Sequence, residues 1–211
     1  MLQLYNRERS GNCYKVRLML ALLGLEYEKI GVHREGKGRN QTPDGFDALS
    51  PLRQVPVLMA DGVPVWGTIA IMTYLCRRYG GETWLPVEAM AMAQVTQWLQ
   101  LAQNEIFYGL GLARSIRGGR WHGKGTLEDA QALGLKVLGI LEQHLRDRKW
   151  LALDRVTMAD IACYSYTVFA PEGGISLLPY PAVKRWLSDI AGLPQYLPPP
   201  VYDGAGGPLV A

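Results

Sequence analysis

The stretch from 55 to 66, VPVLMADGVPVW, constrains the fold more tightly than any other part of the chain. Two apolar runs flank Asp61-Gly62, a dipeptide whose tolerance of positive φ suits the type I′ turn of a tight antiparallel hairpin. Pro56 lies inside the first run and cannot donate to a ladder, so that strand is at a sheet edge or the proline has a special conformation. Ahead of the hairpin the text reads strand, helix, strand. LQLY is short and apolar, a polar loop runs to Asn12, and Val16, Met19, Leu20 and Leu23 recur at helical spacing until Gly24 stops them. Lys15 and Arg17 fall off that apolar face. YEKIGV predicts a second strand, and REGKGRNQTPDGF after it reads as loop. Beyond the hairpin a helix is expected from Thr68 as N-cap, with Arg77 and Arg78 in its last turn and Gly80 past its end. The order β-α-β, hairpin, α is that of an α/β unit.

After GGETWLP the strand-like text stops. Residues 87 to 117 are rich in Ala, Gln, Leu and Met and predict helix, as do Thr126 to His144, where Leu133, Val137 and Leu141 repeat every four residues. TMAD, Thr157 to Asp160, has the form of a capping box, with Asp where Glu is commoner. Pro181, Val183, Trp186, Leu187 and Ile190 give an amphipathic helix that Gly192 can end. The Pro- and Gly-rich tail is expected to lie irregularly over the surface. The expected division is an α/β domain at 1–81, a linker at 82–87 and an all-helical domain at 88–211.

Composition narrows the chemistry. The formal charge is +3 and the basic residues are scattered, so the stripe expected of a nucleic-acid binder is missing. Cys13, Cys76 and Cys163 are too few for a disulfide framework, and neither they nor His33, His122 and His144 stand at metal-ligand spacing, so no metal is expected. The N-terminal residues carry no secretory h-region, and no apolar run approaches the ~18 residues of a membrane span, which predicts a cytoplasmic protein. GGRWHGKGT, Gly118 to Thr126, mimics the spacing of a phosphate-binding loop. Its interior Arg120, Trp121 and His122 are too bulky, and the text before it is helical, so it reads as a helix-helix connection.

Three features of the α/β unit point to one place. SGNCYK opens the first helix, where amides and dipole favour an anion such as a thiolate. QVPVL carries the unusual proline, and WGTIAI is a second strand-to-helix entry. In this order, with LALDRVTMADIACY and YPAVKRWLSDI downstream, they resemble the glutathione transferase family across the whole chain. The resemblance implies a thioredoxin-like N-terminal domain followed by a helical bundle, in agreement with the elements already read.

It also implies site residues. Ser10, five residues before Lys15, would donate to the glutathione sulfur, with Asn12 adding a polar contact. Val55 would pair its backbone with the cysteinyl part beside a cis Val55-Pro56 bond. Thr68 would hold the γ-glutamyl carboxylate, and Gln54 and Gln41 would reach the glycyl end. Glutathione would be the co-substrate, a small apolar electrophile the second substrate, and the protein a homodimer active in detoxification. Tyr108 and Trp121 either line an apolar pocket for the electrophile or pack ordinarily.

Two positions depart from the family pattern. Gly67 stands where an acidic or amide residue usually precedes the hydroxyl, which removes a partner for the γ-glutamyl ammonium. Arg53 replaces a common Gly and adds positive charge. Conjugation is therefore expected, with glutathione-dependent disulfide or peroxide reduction as a further activity. Two alternatives stay open: thiol-disulfide exchange through Cys13, a thiol near a helix N-terminus, and a non-catalytic binding module of the same fold.

Overall fold

The structure, a computed structural model, describes residues 1–35, 39–41, 43–120 and 123–200, without the side chains of 33–35 and 39–41. Strand β1 (Leu2–Asn6) runs parallel to β2 (Tyr27–Gly31), joined by helix α1 (Gly11–Leu22), with Leu2 opposite Tyr27 and Asn6 opposite Gly31. Gly24 ends α1 at φ +65, where its amide donates to the Ala21 carbonyl at 2.9 Å and that of Leu25 to Leu20 at 3.0 Å. Glycine takes this left-handed position at no steric cost, and the paired bonds satisfy carbonyls left over at the helix end.

The segment read as loop contains a separate two-stranded ribbon, β3 (His33–Glu35) against β4 (Arg39–Gln41), followed by the short helix α2 (Phe46–Leu49). Polar text hid the ribbon because its backbone pairing needs no apolar face. Strands β5 (Val57–Ala60) and β6 (Val63–Trp66) form the hairpin, with Asp61 at φ +52 and Gly62 at φ +81 as a type I′ turn requires. The sheet order is β2-β1-β5-β6, so β5 is interior. Of the two alternatives for Pro56, the special conformation holds: it precedes β5 and the Val55-Pro56 bond is cis.

Helix α3 (Thr68–Leu75) begins one residue off expectation. Gly67, at φ +89, is its N-cap, and Thr68 is the first helical residue. Arg77 and Arg78 lie in a π turn, Cys76–Gly80, that leads into α4 (Gly81–Trp84), and Arg77 donates to the carbonyls of Leu85 and Pro86. The helical text of 87–117 is likewise broken. Helix α5 (Ala89–Gln103) ends at Asn104, a π turn covers Phe107–Gly111, and α6 (Leu112–Arg117) follows. Within that turn a Cβ on Gly109 would lie 2.7 Å from the backbone nitrogen of Gly134 in α7 (Leu127–Leu145), so two helix backbones meet where no side chain fits.

The remaining helices, α8 (Met158–Val168) and α9 (Pro181–Ala191), complete a thioredoxin-like domain followed by a helical one. None of the helices among the described residues is long and apolar enough to cross a membrane. Every residue of α8 is buried, and α1 packs on it as well as on α3. With neighbours on both sides, α1 has little solvent face. Lys15 and Arg17, expected off the buried side, are buried too.

Asp160 fixes the start of α8. One carboxylate oxygen accepts from Leu151 N at 2.9 Å and Trp186 Nε1 at 3.1 Å, and the other from Thr157 N at 2.9 Å and Thr157 Oγ1 at 3.2 Å. The capping box thus also ties α8 to α9 and to the preceding loop. Removing the carboxylate strands several buried donors at once. Asp160→Ala should lower unfolding stability by about 3–5 kcal/mol in urea titration, whereas a loss below about 1 kcal/mol would show that the network is dispensable.

Candidate active site

The loop after β1 is held from below by Arg17, which donates to Asn6 Oδ1 and, at 3.1 Å, to the Glu8 carbonyl, while Glu8 also pairs with Lys29 at 2.6 Å. The loop ends on Ser10, the N-cap of α1. Its Oγ accepts from Cys13 N at 3.2 Å. A hydroxyl that accepts through oxygen still has its proton to donate. The structural role of Ser10 and a donor role are therefore compatible.

Ser10 and Asn12 lie in the wall of a cleft of about 260 Å³ between the α/β and helical parts. Gln54 and Val55 form the adjoining wall, and Phe107, Arg114, Ser115 and Tyr166 supply the helical side. Asn12 presents a buried Oδ1 without a hydrogen-bond partner among the described residues. Ser50 braces the second wall, its hydroxyl accepting from Gln54 N at 3.2 Å and donating to Gln54 O at 3.1 Å. Arg53, beside it, has φ +51, the backbone conformation that explains why glycine suits this position.

Four of the residues selected from sequence thus meet in one cleft. Pro56, Gly67 and Thr68 are not among its described lining residues, and the Gln41 side chain lies outside the described part. Around the Cβ position of Gly67 there is open space, but its φ of +89 disfavours any side chain. Tyr108 is half exposed and meets Phe107 edge to face without lining the cleft, while Trp121 and His122 are outside the described residues. A larger hollow, about 410 Å³ between α5 and α7, contains none of the selected residues.

Cys13 is fully buried, its sulfur accepting from Arg7 N at 3.4 Å. Burial pushes its pKa up, against the bonds from Ser10 and Arg7 that favour thiolate. Cys76 and Cys163 are also buried, with pKa values raised by desolvation. Among the described residues no group of three or more His, Cys, Asp or Glu is placed to hold a metal ion.

Sequence reasoning missed Tyr166. Its ring lies where a Cβ on Gly11 would fall, 2.4 Å from Cε1, and it also covers Gly111. The backbone amide of Asn12 faces its hydroxyl. Behind the ring, at 4.8 Å from its centroid, lies Lys15 Nζ, fully buried and without a hydrogen bond among the described residues. The available signal was the glycine of SGN, which marks a close approach, but the partner cannot be read locally.

Burial lowers the Lys15 pKa to about 8, with the neighbouring Cys163 acting in the opposite sense. Below pH 8 both folded and unfolded chains carry the charge, and the folded state bears the full cost of burying it. Between about pH 8 and 10.5 the folded lysine is neutral while the unfolded one is still charged, so the penalty fades. Lys15→Met should therefore be more stable than the parent at pH 7, by about 3 kcal/mol beyond any difference seen near pH 10.5. Chemical denaturation across that range checks it, and a variant less stable at pH 7 would contradict it.

Comparison with known proteins bears on this cleft. Residues 4–83 match the family model "Glutathione S-transferase, N-terminal domain", and residues 115–194 match "Glutathione S-transferase, C-terminal domain". The chain is 30% identical to glutathione S-transferase 3 of Zea mays, over 97% of this chain and 99% of that protein. It is 28% identical to maleylacetoacetate isomerase of Mus musculus, over 90% and 88%. Among solved structures it is similar to a glutathione S-transferase from Pseudomonas fluorescens, with 33% identity, a TM-score of 0.84 and coverage of 93% and 98%.

Proposed function

The chain belongs to the glutathione S-transferase family, and on that premise we propose that it binds glutathione at the N-terminus of α1 and directs its sulfur onto a small electrophile. One observation carries this reading: Ser10 sits in the cleft wall at the N-cap of α1 with its oxygen engaged by Cys13 N, and its hydroxyl proton can rotate from the Cys13 sulfur to a thiolate bound in the cleft. The orphan acceptor Asn12 Oδ1, on a cleft residue, fits a co-substrate rich in amide donors.

The energetics are adequate. Lowering a thiol pKa by about two units requires roughly 2.7 kcal/mol in favour of thiolate. A hydrogen bond to a charged group supplies about 1.5–3 kcal/mol, and a helix N-terminus about 0.3–1 more. Ser10 need not ionise. It orients and stabilises the thiolate, which attacks an electrophilic carbon. In conjugation the new C–S bond stays: in a substitution the bond to the leaving group breaks and that group departs with the electron pair, and in an addition a proton from water quenches the carbanion.

A second reading comes from the relatives named maleylacetoacetate isomerase. The same thiolate adding to a conjugated cis double bond sends the π electrons to the carbonyl, permits rotation about the resulting single bond, and is expelled again. Ser10 has the same role in both. Thiol-disulfide exchange through Cys13 is disfavoured by the burial and raised pKa of that thiol. Glutathione-dependent reduction of disulfides or peroxides, a homodimer, a cytoplasmic setting and the division of the chain at 82–87 belong to the same proposal.

Calorimetric titration should show glutathione binding below millimolar concentration. Ser10→Ala should reduce turnover roughly 10- to 100-fold, the rate equivalent of one charge-assisted bond, while Cys13→Ala stays within about threefold of the parent. Absence of binding at millimolar glutathione would sink the reading. Loss of turnover in Cys13→Ala with Ser10→Ala intact would transfer it to thiol exchange.

A further inference from the structure

The cleft wall is too cationic for an electrophile that is merely apolar. Its described lining includes Arg7, Arg9, Arg53, Arg114 and Arg120 and no Asp or Glu. Asp47 pairs with Arg53 at 3.3 Å and Glu172 with Arg114 at 2.7 Å, while Arg7, Arg9 and Arg120 make contacts of their own. The arginines also divide by wall. Arg53 adjoins Gln54 and Val55, on the side proposed for glutathione, whereas Arg114 and Arg120 follow the π turn on the helical side.

Arg114 is the informative residue. Only 3% of it is exposed, and its guanidinium plane covers the Phe169 ring at 3.9 Å. Nε donates to Glu172 and Nη1 to the Arg9 carbonyl at 3.0 Å, which leaves Nη2 buried without an acceptor among the described residues. Arg120 is drawn alongside by its own bond to the Arg114 carbonyl at 3.2 Å. A guanidinium fixed at two corners with the third unsatisfied is preorganised for one more oxygen, and the charge favours an anionic one. Beside it the rings of Phe107 and Tyr166, 5.7 Å apart, offer an apolar surface in the same wall.

Resting on the glutathione reading above, we infer that the second substrate is an electrophile bearing a carboxylate. Its carboxylate docks on Arg114 Nη2 with Arg120 alongside, and its apolar body lies against Phe107 and Tyr166. This revises the expectation of an apolar electrophile and names the substrate class through the wall opposite Ser10. Arg114 is a specificity residue: it selects the substrate's charge and leaves the bond-making step to the thiolate.

A matched pair of probes tests it, 4-chloro-3,5-dinitrobenzoate and the corresponding benzamide. In both, the C–S bond forms as the C–Cl bond breaks and chloride leaves with the electron pair. With each enzymatic kcat/KM divided by the uncatalysed rate with glutathione, the carboxylate should be preferred by about tenfold or more at low salt, and the preference should shrink at high ionic strength. The paired variant Arg114→Met with Glu172→Gln, chosen so that no buried carboxylate is left unpaired, should bring the ratio within about threefold of one. Arg120→Ala provides a second variant that should lower the ratio in the same direction.

Equal or better use of the benzamide by the parent protein would overturn the inference. So would a paired variant that keeps the ratio and instead raises KM for glutathione, since Arg114 would then hold a glutathione carboxylate. Failure of the underlying reading looks different: calorimetry would show no glutathione binding and neither probe would be turned over.

Discussion

The contact between the Tyr166 ring and Gly11 sets the geometry on which the rest depends. Because the ring occupies the space of a residue-11 Cβ, the N-terminus of α1 is pressed directly against α8. Ser165 Oγ donates to the Gly11 carbonyl at 2.7 Å and locks the same junction. Helix α8 is in turn fixed at its start by the buried Asp160 carboxylate, which gathers donors from Leu151, Thr157 and Trp186. The α/β and helical parts are therefore not loosely tethered. They share one seam, and the cleft opens at its edge.

That seam decides the electrostatics of the cleft. A helix N-terminus carries partial positive charge, and here its first turn is roofed by a ring rather than by water. Lys15 lies behind the ring, Arg17 fastens the loop, and arginines line the open side. Each of these groups favours negative charge in the cleft, whether thiolate or carboxylate. Burial outweighs these charges at Cys13, whose sulfur is turned inward under the loop, and disfavours chemistry there.

What was legible in the sequence was local. The type I′ turn at Asp61-Gly62, the stop at Gly24 and the capping box at Thr157 depend on residues within a few positions, and the structure has all three. The resemblance brought Ser10, Asn12, Gln54 and Val55 to attention, and they share one cleft wall system. What stayed illegible depends on distant partners. The close approach of Gly109 to Gly134 and the burial of Lys15 behind the Tyr166 ring of α8 both involve partners far along the chain. Arg114 looked like one basic residue among several, and only Glu172, Phe169 and the Arg9 carbonyl, far away in sequence, give it an orphaned nitrogen. At Gly67 the sequence showed a missing side chain, and the structure adds a backbone at φ +89 that favours its absence.

The central claim is that the α1 N-terminus, through Ser10, stabilises a bound thiolate. The most direct measurement is the ultraviolet absorbance of that thiolate in the protein–glutathione complex, followed as a function of pH. The account predicts half-ionisation about two pH units below that of free glutathione, and a midpoint in Ser10→Ala that moves most of the way back. A midpoint equal to that of free glutathione, or one that Ser10→Ala leaves unchanged, would contradict it.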